Sequence, residues 1–242
     1  MKAGTPAGGP EQRSGTRRGI VRWLFQIGVF ILILAASLFL SAGRLDWAMG
    51  WGYVGTFVAL QGLNALVLIP TSPDLVAERA RRGGKAKGWD RLLAALVAFY
   101  GPVSTWVVAG LDLRFGWSPK VPLALEIAAL AVAVLGALLT LWAMASNRFF
   151  SGVVRIQADR GHAVVSAGPY RIVRHPGYLG GMAFDLATPL ALGSLWSFVP
   201  AALTVCAIAV RTALEDRTLH DELDGYRAYA RRVRHRLLPG VW

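Results

Sequence analysis

The sequence predicts an all-α, polytopic integral membrane protein with about six transmembrane helices. Three observations carry this. Of the 242 residues, 55% are hydrophobic and 17% charged, where a soluble domain has about 25% charged residues. Apolar runs long enough to cross a hydrocarbon core of roughly 30 Å recur along the chain. The basic residues gather in alternate links between those runs, as expected of a chain oriented by its cytoplasmic charge. The net charge of +12 raises nucleic acid as a partner, but no nucleic-acid-binding module accompanies it. The bilayer is the expected partner, and nucleic acid is not. Cys206 is the only cysteine, so an intrachain disulfide and a cysteine-based metal cluster are excluded, and no metal is expected. Cys206 itself lies in an apolar run and reads as a small buried hydrophobe.

Residues 1–19 are rich in Gly, Pro, Arg and Thr and read as a disordered basic arm. Residues 21–42 are long enough to span a bilayer and have no suitably placed small-residue cleavage site, so a retained helix is expected, not a signal peptide. Gly43 to Asp46 turn the chain. Trp47 and Trp51 open a second span at interfacial depth, closed by Pro70 and Pro73. The charged loop 71–91 carries a short helix over 74–82, with Asp74 as its N-cap or first-turn acid. A third span covers 92–111 and a fourth 121–145, with Glu126 near its start facing the interface or neighbouring helices.

After a polar stretch, the apolar block 178–210 is interrupted by Gly193 and Ser194. One helix of that length would measure about 50 Å, too long for the bilayer core. Two helices of about 16 residues fit better, forming a hairpin that tilts, sits shallow or stops short of crossing. Asp185 and Pro189 within it should face protein. Lys and Arg number 5 in residues 1–22, 6 in 71–91, 5 in 146–178 and 7 in 211–242, against only Arg44, Arg114 and Lys120 elsewhere. With six spans every rich segment falls on one side, which puts both termini in the cytoplasm.

Two stretches carry polar residues in non-repetitive order. In 211–242, Leu214, Leu219, Leu223, Tyr226, Tyr229 and Val233 recur mostly three to five apart, the pattern of an amphipathic helix against the membrane or a neighbouring loop. The other is 162–181, H-A-V-V-S-A-G-P-Y-R-I-V-R-H-P-G-Y-L-G-G. Pro169 after Gly168 predicts a turn leading into a short helix. Pro176 disfavours the α region at His175, so that helix should stop there and leave the imidazole at its end. Taken alone, Arg171 and Arg174 would read as ordinary cytoplasmic charge. The whole string is more specific: Gly168, Tyr170, Arg174, His175, Pro176 and Tyr178 fill each fixed position of G-x-Y-x-x-x-R-H-P-x-Y.

That string resembles the signature of the isoprenylcysteine carboxyl methyltransferase family and its phospholipid methyltransferase relatives. R-x-x-x-E from Arg211 to Glu215, then L-x-x-x-L, G-Y-x-x-Y and R-L-L-P, looks like the family's C-terminal segment. The similarity covers about 147–239 and reaches more weakly to L-V-A-E-R-A-R and G-W-D in the 71–91 loop, which bacterial members often carry. The resemblance implies an integral membrane enzyme, here of a bacterial cell membrane, that uses S-adenosyl-L-methionine. It divides the chain into the arm 1–19, four spans over 20–145, and a methyltransferase region over 146–242. The cytoplasmic cofactor site would be formed by the 146–178 loop and the C-terminal helical segment.

By resemblance the cofactor-binding positions are Gln157, His162, Ala163, Val164, Val165, Tyr170, Arg174, His175, Pro176, Gly177, Tyr178 and Glu215. Spacing from Gln157 to His162 is shorter here than in the eukaryotic enzymes. Arg211 matches the position associated with the substrate carboxylate, and Arg211 and Glu215 are the expected catalytic pair. The chemistry of the cofactor suits these residues. Its carboxylate wants charge-assisted donors, which His175 beside Arg174 would provide. Its ammonium wants an acid such as Glu215, and its adenine wants aromatic faces and backbone donors from Tyr170, Tyr178 and the strand-like H-A-V-V. Without a glycine-rich loop after a strand, a soluble Rossmann methyltransferase is not in play.

The expected acceptor is lipophilic, a prenylated substrate or small molecule, with carboxyl O-methylation of an isoprenylcysteine-like compound first and phospholipid amine N-methylation as the alternative. A sterol or enone reductase also carries R-H-P, but usually as R-H-P-N-Y after paired Trp residues, where Gly177 and Pro169-Tyr170 stand here. A non-enzymatic membrane protein that kept only the fold would have lost cofactor residues, and the string is intact.

Overall fold

In the computed structural model, residues 10–80 and 86–242 are described, with side chains from residue 14 onward. The first nine residues of the basic arm and 81–85 of the charged loop lie outside them. Helix α1 (Pro10–Ala42) runs back into the stretch expected to be disordered. Gly19 explains why: α3 packs so closely there that a Cβ would lie 2.6 Å from that of Ala77. The next helices are α2 (Ala48–Thr71), α3 (Pro73–Ala80) and α4 (Asp90–Ala95), then a π-helical turn (Leu96–Tyr100) leading into α5 (Gly101–Phe115). Pro102 has no N–H to return to the preceding turn, which accounts for the π register just before it. The remaining helices are α6 (Leu123–Ser146), α7 (Pro176–Ala191), α8 (Phe198–Glu222) and α9 (Tyr226–Arg232), and no strand occurs among the described residues.

Five helices are long and apolar enough to cross a membrane: α1, α2, the continuous α4–α5, α6 and α8. The expected hairpin is asymmetric. Helix α7 has 16 residues, but α8 has 25 and carries straight on past Arg211. Even so, α7 reaches the far end of the bundle, since its length of about 24 Å is close to the thickness of the core. At that end, Asp112 Oδ2 accepts hydrogen bonds from Ser118 Oγ and Ser194 Oγ at 2.5 Å each, and Ser118 Oγ accepts from the Leu195 N–H at 2.9 Å. Glu126 is there too, its Oε1 2.7 Å from where a Cβ on Gly193 would sit. Six traverses therefore join two ends. One end holds the links around 43–47, 112–122 and 192–197; the other holds the start of α1, α3, the 147–175 stretch and the tail.

Helices α6 and α7 approach most closely at Gly136 and Gly180, where a Cβ on Gly136 would lie 2.5 Å from the Gly180 carbonyl. This places the N-terminus of α7, and His175 with it, against α6. In the middle of the bundle Tyr53, Trp106, Ala191 and Leu34 form a buried core, in which the Tyr53 and Thr188 hydroxyls are 3.0 Å apart. Pro189 is buried and Asp185 is partly buried, lining a small internal cavity with Tyr53 and Trp106, so both face protein as expected. Cys206 does not: it is exposed on α8 and so faces the bilayer, because α8 is covered by neighbours on one side only.

Candidate functional site

The densest polar region lies at the end of the bundle that holds the charged loops. Gly168 adopts φ +57, a left-handed conformation open to glycine, and a Cβ there would collide with Ser146 and press on Trp142. This turn starts a single 3-10 turn (Gly168–Arg171), ending before His175. His175 therefore sits at the start of α7, with Pro176 at its first turn, and not at the end of the preceding helix. Pro176 is suited to that place because the missing N–H is one that no helix start can satisfy internally.

Asp216 on α8 is the anchor of the region and was not anticipated from the sequence. It is 1% exposed and accepts from Arg174 Nε at 2.8 Å and Nη2 at 3.0 Å, Arg236 Nε at 2.9 Å and the Tyr226 hydroxyl at 2.8 Å. His175 Nε2 lies 3.2 Å from the same carboxylate. Arg174 also donates through Nη1 to the carbonyls of Val233 and Arg234 at 2.9 and 2.8 Å. Its guanidinium is thus occupied in clasping the tail, which corrects the expectation that it would stand beside His175 as a cofactor donor. The expected amphipathic stripe is buried as predicted, with Leu223, Tyr226, Tyr229 and Val233 packed around Val164 and Ile156. The Tyr229 hydroxyl donates to the Tyr170 carbonyl at 2.8 Å, and burial pushes its pKa up to about 12.

A second buried pair forms nearby. Asp90, 0% exposed, accepts from Arg211 Nε at 2.7 Å and Nη2 at 3.2 Å, and from the Val154 N–H at 2.6 Å. Arg211 Nη2 also donates to the Gly152 carbonyl at 2.8 Å, and the guanidinium stacks over the Tyr178 ring at 5.5 Å. Arg211 is therefore engaged by Asp90 and not by Glu215, one turn away on its own helix. Glu215 instead accepts a 2.5 Å hydrogen bond from the Tyr178 hydroxyl. The aspartate of the G-W-D stretch, seen in the sequence only as a weak similarity, is the partner that holds α8 to the third span.

These parts enclose a cavity of about 270 Å³. Its wall includes Gln157, His162, Ala163, Val164, Val165, Tyr170, Arg174, His175, Gly177, Tyr178, Arg211 and Glu215. Only Pro176 of the expected positions is absent, its ring being buried inside the start of α7. The residues converge from three segments far apart in sequence. Their roles within the wall differ, however. The Gln157 amide is taken up internally: Nε2 donates to the Phe149 carbonyl at 2.6 Å, and Oε1 accepts from Arg160 at 2.5 Å. His162 stacks on Phe149 with ring centroids 4.7 Å apart, and its Nδ1 accepts from the Gln157 N–H at 3.3 Å. Burial, with Arg155 and Arg160 nearby, pulls its imidazole below the ordinary histidine value. Burial pushes the Tyr170 phenol well above its ordinary range, so it stays protonated and accepts from Asn147 Nδ2 at 3.2 Å. Ala163, Val164 and Val165 line the wall without regular secondary structure, and their backbone groups make no hydrogen bond among the described residues.

The fold and this cavity define a polytopic membrane protein with a site at the end of its helices that joins apolar and charged side chains, built mainly from α6 to α9. Residues 129–221 match the model of the Isoprenylcysteine carboxyl methyltransferase (ICMT) family. The match supports a membrane methyltransferase. No curated protein matches the chain.

Proposed function

We propose that the protein transfers a methyl group from S-adenosyl-L-methionine to a lipophilic acceptor at this cavity, with an acceptor carboxylate as the preferred nucleophile. The observation that carries the reading is the convergence of the expected cofactor positions on one wall. The residues present suit the cofactor. Glu215 offers a carboxylate to its ammonium, and the unpaired backbone of 163–165 offers donors and acceptors to adenine beside Val164 and Tyr170. His175, held through Nε2 by Asp216, leaves Nδ1 for the cofactor carboxylate. When bound, the cofactor supplies an electrophilic methyl on a sulfonium. The chain's own part is to hold the acceptor oxygen in line with that methyl and to exclude water. A carboxylate is already ionised at neutral pH and needs no general base.

Membranes of defined lipid holding the full chain, given methyl-labelled cofactor, test this. Label is expected as a base-labile ester on a farnesyl thioether of N-acetylcysteine. Label found only in phosphatidylethanolamine would favour the second reading, N-methylation of a phospholipid amine. One observation favours that alternative: Arg211, expected to clamp the acceptor carboxylate, is already neutralised by Asp90. An amine must lose a proton first, and Glu215 would then have to take it. We further propose a bacterial cell membrane as the location, with the site end and both termini in the cytoplasm, because the chain's basic residues concentrate in 1–22, 71–91, 146–178 and 211–242, and the described parts of those segments lie at that end.

A further inference from the structure

The cations around the cavity are nearly all matched. Arg211 pairs with Asp90, Arg174 with Asp216, and Arg155 with Glu78 and Asp159 at 2.7 and 2.9 Å. Arg160 is spent on the Gln157 amide and the Arg148 carbonyl. Arg79, on α3, is different. It lines the cavity, its Nη1 is buried without a hydrogen-bond partner, and among the described residues no carboxylate lies within ion-pair distance. Arg79 is partly buried overall, but leaving its buried Nη1 without a partner is costly, so the group calls for an anion. Burial, with Arg211 nearby, holds its pKa below the usual arginine range, which an incoming anion would relieve.

The surroundings give the anion's identity. The Arg79 guanidinium lies 5.4 Å from the centre of the Phe150 ring, and Phe150 lies against Gly177 at the start of α7. From there Tyr178 leads to Glu215, the residue assigned to the cofactor. On the same wall stand Val97 and Ala98 of the π-helical turn, whose neighbours Phe99 and Tyr100 are exposed on the bilayer side. An unmatched cation between an apolar, lipid-side wall and the cofactor end fits an acceptor with a hydrocarbon chain and an anionic head. We propose that Arg79 binds the acceptor's anionic head group and so selects a carboxylate-bearing lipid. This rests on the methyl-transfer reading and replaces Arg211 with Arg79 as the group that meets the acceptor.

The test uses the full chain in neutral phosphatidylcholine nanodiscs. The probes are the farnesyl thioether of N-acetylcysteine, its uncharged carboxamide, and S-adenosylhomocysteine. Arg79→Gln is expected to weaken binding of the acid about tenfold or more, the loss typical of a charge-assisted contact. Binding of the carboxamide and of S-adenosylhomocysteine should change less than about twofold, and Arg79→Lys should recover part of the acid's affinity. Unchanged affinity for the acid, equal loss for acid and carboxamide, or a loss confined to S-adenosylhomocysteine would each overturn the assignment. Intact carboxamide binding shows that the variant pocket is folded. Wild-type protein that fails to bind S-adenosylhomocysteine would instead sink the methyl-transfer reading itself.

Discussion

Replacing Asp216 by Asn removes one charge and leaves the volume almost unchanged. In the structure that charge faces Arg174, Arg236, His175 and Tyr226 together, and Arg174 is 8% exposed. Asn keeps one acceptor oxygen, but its NH2 points donors at guanidinium donors. Breaking a buried ion pair by removing one partner costs about 3–5 kcal/mol, because the other charge stays buried. For a chain of this size each kcal/mol lowers Tm by roughly 2–4 °C, so a fall of about 6–20 °C is expected. The same pair clasps the tail through Arg174 Nη1, and the backbone N–H groups of Arg174 and His175 donate to His235 and Arg236 at 2.9 Å each. Loss of the charge should therefore also speed proteolysis near Arg231 and Arg232. Thermal melts of Asp216→Asn, Arg174→Gln and the double variant, in one detergent at one scan rate, make a cycle. The double variant should fall well short of the summed single effects. A Tm within 2 °C of the parent for Asp216→Asn, or additive singles, would refute the anchor.

The Arg211–Asp90 pair makes a related prediction. Arg211→Lys keeps the charge but loses the two-point fork on Asp90, so it and Asp90→Asn should lower Tm by similar amounts, about 2–4 kcal/mol in stability; an Arg211→Lys variant with parental Tm and impaired turnover would return Arg211 to the acceptor. For pH, the folded His162 titrates below its ordinary value of 6.5, so its stabilising contribution is complete above that value and is lost as pH falls through the folded one. Between about pH 7.5 and 5.5 the parent should lose more Tm than His162→Gln, and parallel curves would contradict the burial argument. Reporter fusions at Trp242 and in the 112–120 link should report opposite sides of the membrane, and a shared side would reject six traverses.

Much of the fold was legible because apolar length and charge spacing are local properties of the chain. The spans fell close to α1, α2, α4–α5 and α6, and the buried stripe of the tail was visible in Leu223, Tyr226, Tyr229 and Val233. The residues of the cavity wall were legible by resemblance, not by pattern. What failed were judgements about partners. Arg174, His175 and Arg211 look alike on paper as polar groups near a site, yet all three are held by acids, 42, 41 and 121 positions away. A one-dimensional reading pairs Arg211 with Glu215 because helical spacing brings them together. It has no means of knowing that Asp90, set at the mouth of the third span, is closer and drier. Asp216 had one local signal: as the neighbour of Glu215 it points to another side of α8, where it meets Arg174 and His175 while Glu215 meets Tyr178. The same logic bears on Arg79. Within L-V-A-E-R-A-R it is one of several arginines, and only the matching of every other nearby cation to an acid or carbonyl sets it apart. The selectivity of the site then rests on a charge the fold leaves unanswered, while the charges that looked catalytic hold the walls in place.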